Sequence, residues 1–385
     1  MSFERIPEFA SELASKAWVR ITAVVVAGLL AASAGFFLFR GAIRQQIVSQ
    51  TAQHVFGQSK LNVLVLGYQA DEETTDTILL VHVDVDRRIA TMVSIPRDTW
   101  VPIPGHGSFK INSAFAYGGP KMTARVVSTL MGGIPIDATI ALQPEDAAQI
   151  VDAMGGLNVD VDEDMNYDDN HGDLHIHLRK GEQYLTGSQV VGYMRFRDDP
   201  LSDYGRVQRQ RQVLRLMMDQ LSQPQNWAKL PRLLQLAQKD VQSTLNEQQL
   251  AALIEIYRNV PEDDIRGFTL PSKPGWVGDA SVVFADQRWA KWIGHVLFSK
   301  SEPPQGAVVV ANATGDPTFD KTIVGALRGA GWDVPTFVDQ RERGTSLIIG
   351  TSEAAQDLAS TFDVRQQPGG HTTFVIGSDL APDTQ

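Results

Sequence analysis

The sequence predicts an α/β protein: a central mixed sheet with helices on both faces, preceded by one transmembrane helix and followed by a small α/β domain. Three observations predict it. Residues 21–39, ITAVVVAGLLAASAGFFLF, carry no charge and lie between Lys16/Arg20 and Arg40/Arg44. At about 1.5 Å per residue that run nearly spans a bilayer core. From residue 60 to 221, apolar runs of strand length alternate with helical stretches that open at proline and close at glycine, the pattern of a sheet covered on both sides. Beyond a polar, proline-bearing linker at 299–306, a second and shorter β-α-β pattern follows.

Composition bounds the rest. The 385 residues are 43% hydrophobic and 21% charged, a globular balance with room for two or three cores. With 45 acidic against 34 basic residues the formal net charge is −11, which argues against a nucleic-acid partner. The chain has no cysteine, so disulfides, thiolate zinc sites and cysteine nucleophiles are excluded. Ala31-Ala32-Ser33-Ala34 has the small residues of a signal-peptidase site, but the apolar run continues through Phe36, Phe37 and Phe39. This predicts an uncleaved anchor. The flanking cations are balanced and do not orient it. A short tail at 1–20 and a large globule after the anchor place the tail in the cytoplasm and the globule outside, joined by a helical stalk at 40–58.

The elements follow in order. LNVLVLGY (61–68), DTILLVHVDVD (76–86) and RIATMVSI (88–95) read as strands, with Asp86-Arg87 as a turn. Residues 120–132 read as a helix with Pro120 at its start and Gly132-Gly133 past its end, and 144–156 repeat that design. LNVDVD is the next strand, DLHIHL forms a hairpin, SQVVGYM is a short helix, and a longer helix runs from about Asp203 to Gln223. Residues 224–298 add the helix LNEQQLAALIEIYRNV and irregular tryptophan-bearing segments. In 307–380, strands AVVVANATG, SLIIG and TTFVIG surround a helix at 320–332.

Chemistry-bearing residues gather at strand ends. Asp76 opens its strand, Arg97-Asp98 follow SIP, Lys110 and Asn112 follow a glycine-rich turn, and Arg195 and Arg197 close a short helix. Ligands of open α/β sheets bind at such ends. The helix beginning near Asp203 carries Arg206, Arg209 and Gln210 on one face, and its free N–H groups attract anions. Arginine forks, a lysine and a helix start are what a multiply charged phosphate needs. A nearby aspartate would supply a hard oxygen ligand for Mg²⁺. Asp203, Asp98 and Asp76 also have structural readings, as a helix cap, a cap or ion-pair partner, and a polar strand entry. His171, His175 and His177 stand among Asp168, Asp169 and Asp173. Without a remote third ligand they read as a solvated hairpin before a zinc site.

These residues carry a resemblance. TTDTILLVHVD, IATMVSIPRDTWVPIPGHGSFKINSAFAYGG, VDAMGGLNVDVD, LTGSQVVGYMRFR and DYGRVQRQRQVL resemble the LytR-CpsA-Psr family of cell-wall proteins over residues 60–221. Residues 306–378 resemble the LytR C-terminal domain. The resemblance implies a Mg²⁺-dependent phosphotransferase, divided as a catalytic domain at 59–298 and a C-terminal domain at 307–380. It would move a glycopolymer from a polyprenyl-pyrophosphate carrier to a peptidoglycan hydroxyl, outside a membrane that anchors it. By that resemblance Arg97, Lys110, Arg195, Arg197, Arg206 and Gln210 surround the pyrophosphate. Asp76 is linked to magnesium, and Asp203 is a site aspartate. Two positions depart: Gln69 and Thr74 stand where the family usually has an aspartate and an arginine. The rival readings are a polyprenyl-pyrophosphate hydrolase and a non-enzymatic lipid- or wall-binding protein.

Overall fold

The computed structural model describes residues 45–380 apart from 70, 72, 170–173, 197–201, 230, 234, 237–240, 262–263, 299–306, 315–333, 335–336 and 340–341. The expected anchor at 21–39, the expected helix at 320–332 and Arg197 therefore lie outside the described residues, and no described helix is long and apolar enough to cross a membrane. The chain forms two units, Met1–Thr51 and Ala52–Gln385. In the first, residues 45–51 are helical. Every described strand and the remaining described helices belong to the second.

Strands β1 (Lys60–Gln69), β2 (Thr74–Asp84) and β3 (Ile89–Ser94) form an antiparallel meander. A hairpin of β4 (Trp100–Ile103) and β5 (Gly107–Lys110) precedes helix α1 (Ala114–Leu130), after which β6 (Ala138–Leu142) returns parallel to β1. Helix α2 (Pro144–Met154) leads to β7 (Leu157–Val161), the hairpin of β8 (Met165–Asp169) and β9 (Leu174–Leu178), and β10 (Gly181–Leu185), which pairs with β7. Helices α3 (Gly187–Arg195) and α4 (Ser202–Ser222) follow, then β11 (Gln242–Ser243), α5 (Glu247–Arg258), β12 (Ile265–Thr269), the hairpin of β13 (Ser272–Val277) and β14 (Ala280–Ala285), and α6 (Gln287–Ile293). The main sheet has the order β11-β6-β1-β2-β3-β12, with β1/β6 and β3/β12 parallel and the other pairs antiparallel. It is mixed, as the sequence predicts.

Every residue from Ile78 to Val83 in β2 is buried. Because successive strand residues point to opposite faces, such a run requires cover on both sides of the sheet. Leu64, Leu66, Ile78, Leu80 and Val93 share one core with Val126, Val127 and Leu130 of α1.

Helix α1 begins earlier than proline punctuation predicts, at Ala114, but it is broken inside. Gly119 has φ 60°, which interrupts the helix and lets Pro120 open its second half without missing an N–H. The α2–α3 contact depends on the absence of a side chain: a Cβ on Gly187 would lie 2.0 Å from the Ala148 carbonyl oxygen. Asp152 Oδ1 accepts from the Gly187 N–H at 2.7 Å and fixes the start of α3.

The C-terminal part contains β15 (Val308–Asn312), β16 (Phe337–Asp339), β17 (Leu347–Ile349), α7 (Glu353–Phe362), β18 (Arg365–Gln367) and β19 (Thr372–Ile376). Its sheet has the order β16-β15-β19-β17-β18. The sequence divides the chain at 299–306, yet the core runs across that division. Trp289 and Trp292 of α6 are fully buried, with ring centroids 4.5 Å and 5.3 Å from that of Phe362 in α7. Trp289 Nε1 donates to the Leu380 carbonyl at 2.9 Å and Arg288 Nη2 to the Asp379 carbonyl at 3.0 Å. The small sheet is packed on α6, not held by a tether alone.

Candidate functional site

The centre of the site is assembled from three places in the chain. Asp76 lies near the start of β2 at a register shift in the pairing with β1: Gly67 pairs with Thr77 and Tyr68 with Thr75, which leaves Asp76 as the extra residue between them. Arg97 and Asp98 occupy the turn between β3 and β4. The Arg97 carbonyl accepts from the Asn112 N–H at 3.1 Å, the Asp98 carbonyl from the Val283 N–H at 2.9 Å and the Thr99 carbonyl from the Ile111 N–H at 2.7 Å. Three consecutive carbonyls are thus tied to two other segments, which rigidifies the turn. Lys110 ends β5 opposite Trp100.

The side chains converge. Arg97 Nη1 donates to Asp76 Oδ1, and Arg97 Nε lies 3.7 Å from Asp98 Oδ2. Lys110 Nζ is 2.7 Å from Asp98 Oδ1. Gln69 Nε2 donates to Asp76 Oδ2 at 3.1 Å. Each of the four charged side chains keeps about a third of its surface exposed, so each pair is worth only ~0–1 kcal/mol. An incoming phosphate, which binds guanidinium in charge-assisted pairs, would displace these carboxylates at small cost.

Helix α4 links this cluster to the arginine segment. Gln210 Nε2 donates to Thr77 Oγ1 at 3.2 Å, one residue from Asp76. Its neighbour Arg209, 4% exposed, donates from Nη2 to the Phe196 carbonyl and stacks over the Phe196 ring at 5.5 Å. Tyr193 donates to Gln212 Oε1 at 2.7 Å, and burial pushes its hydroxyl up to about 12. These contacts fix the end of α3, where Arg195 is half-buried and makes no hydrogen bond or ion pair among the described residues. Asp203 and Arg206 lie on the first turns of α4, but their side chains are not among those described.

The structure therefore brings Asp76, Arg97 and Lys110 together and places Gln210 beside them. Sequence spacing puts Arg209 on the same helix face as Arg206 and Gln210 without revealing what it does, which is to hold the residue between Arg195 and Arg197. Replacing Arg209 by alanine should cost ~1–3 kcal/mol of stability by leaving the Phe196 carbonyl unsatisfied, read as a lower Tm. Lysine, which keeps a donor, should restore part of that loss.

The histidine hairpin is separate. His175 Nδ1 and His177 Nε2 lie 2.7 Å and 3.2 Å from the same Asp168 oxygen on the exposed β8–β9 ribbon. The hydrogen bond from His175 holds the Asp168 carboxyl below its ordinary range. Among the described residues no three His, Cys, Asp or Glu side chains are placed to hold a metal ion. At Asp76, where magnesium is expected, both carboxylate oxygens face protein donors, as do both of Asp98.

A sequence model of the LytR_cpsA_psr family matches residues 41–294, well over half of the chain. The chain belongs to the LytR-CpsA-Psr family. A second model, described as LytR cell envelope-related transcriptional attenuator, matches residues 305–380. Among LytR-CpsA-Psr relatives, the chain is 30% identical over 233 residues to the regulatory protein MsrR of Staphylococcus aureus, covering 57% of this chain and 67% of that one. It is 29% identical over 212 residues to TagV of Bacillus subtilis, named a polyisoprenyl-teichoic acid–peptidoglycan teichoic acid transferase, covering 53% of each. The crystal structure of TagV superposes with a TM-score of 0.55 at 25% identity, covering 64% of this chain and 99% of that one. The mixed-sheet fold is thus shared with a named transferase.

Proposed function

We propose that this protein is a membrane-anchored phosphotransferase that moves a glycopolymer from a polyprenyl-pyrophosphate carrier onto peptidoglycan. Residues 21–39 would be the anchor and the globule would lie outside the membrane. The division into a domain at 59–298 and another at 307–380 belongs to the same reading. The observation that carries it is one cluster in which Arg97 bonds Asp76 and lies beside Asp98, Lys110 pairs with Asp98, and Gln210 reaches Thr77 next to Asp76, with Arg195 at the end of α3 making no hydrogen bond or ion pair among the described residues, in a chain of net charge −11. A surface with an acidic excess gathers cations at one crevice when its ligand is anionic. The name of TagV supplies the class of donor and acceptor.

In this reading the acceptor hydroxyl attacks the sugar-side phosphorus of the diphosphate. A new P–O bond joins polymer to acceptor, the bond to the bridging oxygen breaks, and lipid monophosphate leaves with that oxygen. Such a transition state asks chiefly for positioning and charge stabilisation. Arg97 and Lys110 turn from their carboxylates to the phosphate oxygens. Arg195, with Arg197, Arg206 and Gln210, holds the remaining oxygens. Asp76, released by Arg97, is the carboxylate placed to take the hydroxyl proton, with Asp203 as a further site carboxylate.

The test is product analysis on the full chain in detergent, with a labelled oligosaccharide on polyprenyl pyrophosphate. Label should enter peptidoglycan oligosaccharide through a phosphodiester, and lipid monophosphate should appear in step with it. Release of lipid monophosphate at the same rate without acceptor would make the protein a hydrolase. Binding without either product would make it a lipid-binding protein.

A further inference from the structure

Among the described residues, the carboxylate oxygens of the site face protein donors. Asp76 Oδ1 accepts from Arg97 and its Oδ2 from the amide of Gln69 at 3.1 Å. Asp98 Oδ1 faces Lys110 at 2.7 Å and its Oδ2 faces Arg97 Nε at 3.7 Å. A divalent cation such as Mg²⁺ is held by one or two carboxylates together with substrate phosphates, and Asp71 and Glu73, the nearest further described carboxylates in sequence, are both exposed. The orientation of the Gln69 amide follows from charge: turned the other way, its carbonyl oxygen would face a carboxylate oxygen, and only the NH₂ end makes a hydrogen bond there.

We propose that this chain binds its diphosphate without a resident divalent cation, with Gln69 as the group that makes this possible. The inference rests on the reading of the site as a diphosphate site. When Arg97 leaves Asp76 for phosphate, Asp76 loses its cation beside a newly arrived anion. A carboxylate at position 69 would then add a second negative charge within hydrogen-bond range of the first, an arrangement that needs a cation between the two or a proton on one of them. An amide at position 69 does the opposite. Its N–H stays on Asp76 Oδ2 throughout and stabilises the ionised form. The diphosphate charge is met by Arg97, Lys110 and Arg195, each of which binds phosphate without a metal. Gln69 is a positioning residue here: it holds Asp76, not the substrate.

The experiment is calorimetric titration of the full-length protein with geranyl pyrophosphate, a soluble prenyl pyrophosphate, in EDTA and in Mg²⁺. The wild-type Kd should agree within about twofold between the two conditions. Gln69→Glu, the isosteric carboxylate, should weaken binding about tenfold or more in EDTA and regain it in Mg²⁺. Without any pyrophosphate, the spectrum of free Mn²⁺ should be unchanged by wild-type protein and reduced by Gln69→Glu. Wild-type binding that collapses in EDTA, or stoichiometric Mn²⁺ uptake by the wild type, overturns the proposal even if the variant fails to fold. Wild-type protein that binds the probe under neither condition removes the diphosphate reading itself, and this inference with it.

Discussion

Replacing Trp289 by alanine should lower the unfolding free energy by about 3–5 kcal/mol. The side chain is fully buried among Trp292, Phe362 and Phe374, and its indole N–H donates to the Leu380 carbonyl. Truncation therefore leaves a cavity lined by aromatic rings and also an unsatisfied carbonyl. Ending the chain after Phe298 should be harsher, because it exposes Trp289 and Trp292 together. Chemical denaturation checks both, with aggregation of the truncated protein as the accompanying sign. If the shortened chain unfolds with unchanged midpoint and slope, the shared core contributes nothing and the C-terminal part is independent after all.

Alanine at Arg97 or Arg195 should cost transfer activity far more than stability. On the proposed diphosphate reading, each would lose a charge-assisted contact to phosphate of about 1.5–3 kcal/mol, or one to two decades in rate or affinity. The exposed ion pairs of Arg97 are worth ~0–1 kcal/mol, and Arg195 has no partner among the described residues, so Tm should move little. Lysine should rescue poorly at either position, since a point charge cannot reproduce the planar fork. Steady-state transfer rates measured beside thermal unfolding separate the two effects.

How far the sequence reveals this protein depends on the kind of signal. β1, β2 and β3 are legible because their apolar runs are dense enough to require a buried sheet. Helices α2 and α3 are legible from their proline, glycine and capping residues. The hairpins β4–β5 and β13–β14 are not, because Trp100, Trp276 and Phe284 lie on short, half-exposed strands without clear alternation. The cross-division core is hidden for another reason: Trp289 and Phe362 are far apart in the chain and meet only through tertiary packing. At the site, the residue types and their places at strand ends are readable. Which oxygen meets which donor is not, so Gln69 shows in the sequence as a departure from a pattern and in the structure as a hydrogen-bond donor to Asp76. Arg209 is similar: helical spacing gives its face, not the carbonyl it holds.

Single-turnover transfer of labelled glycan from polyprenyl pyrophosphate to peptidoglycan oligosaccharide decides whether the arginine cluster grips a diphosphate, measured on wild-type protein, Arg195→Ala and Arg195→Lys. Each variant should first be shown to melt as the wild type does. The wild type should form the phosphodiester rapidly, alanine should lose about one to two decades, and lysine should recover little of that loss. Transfer by Arg195→Ala at the wild-type rate would contradict the diphosphate grip.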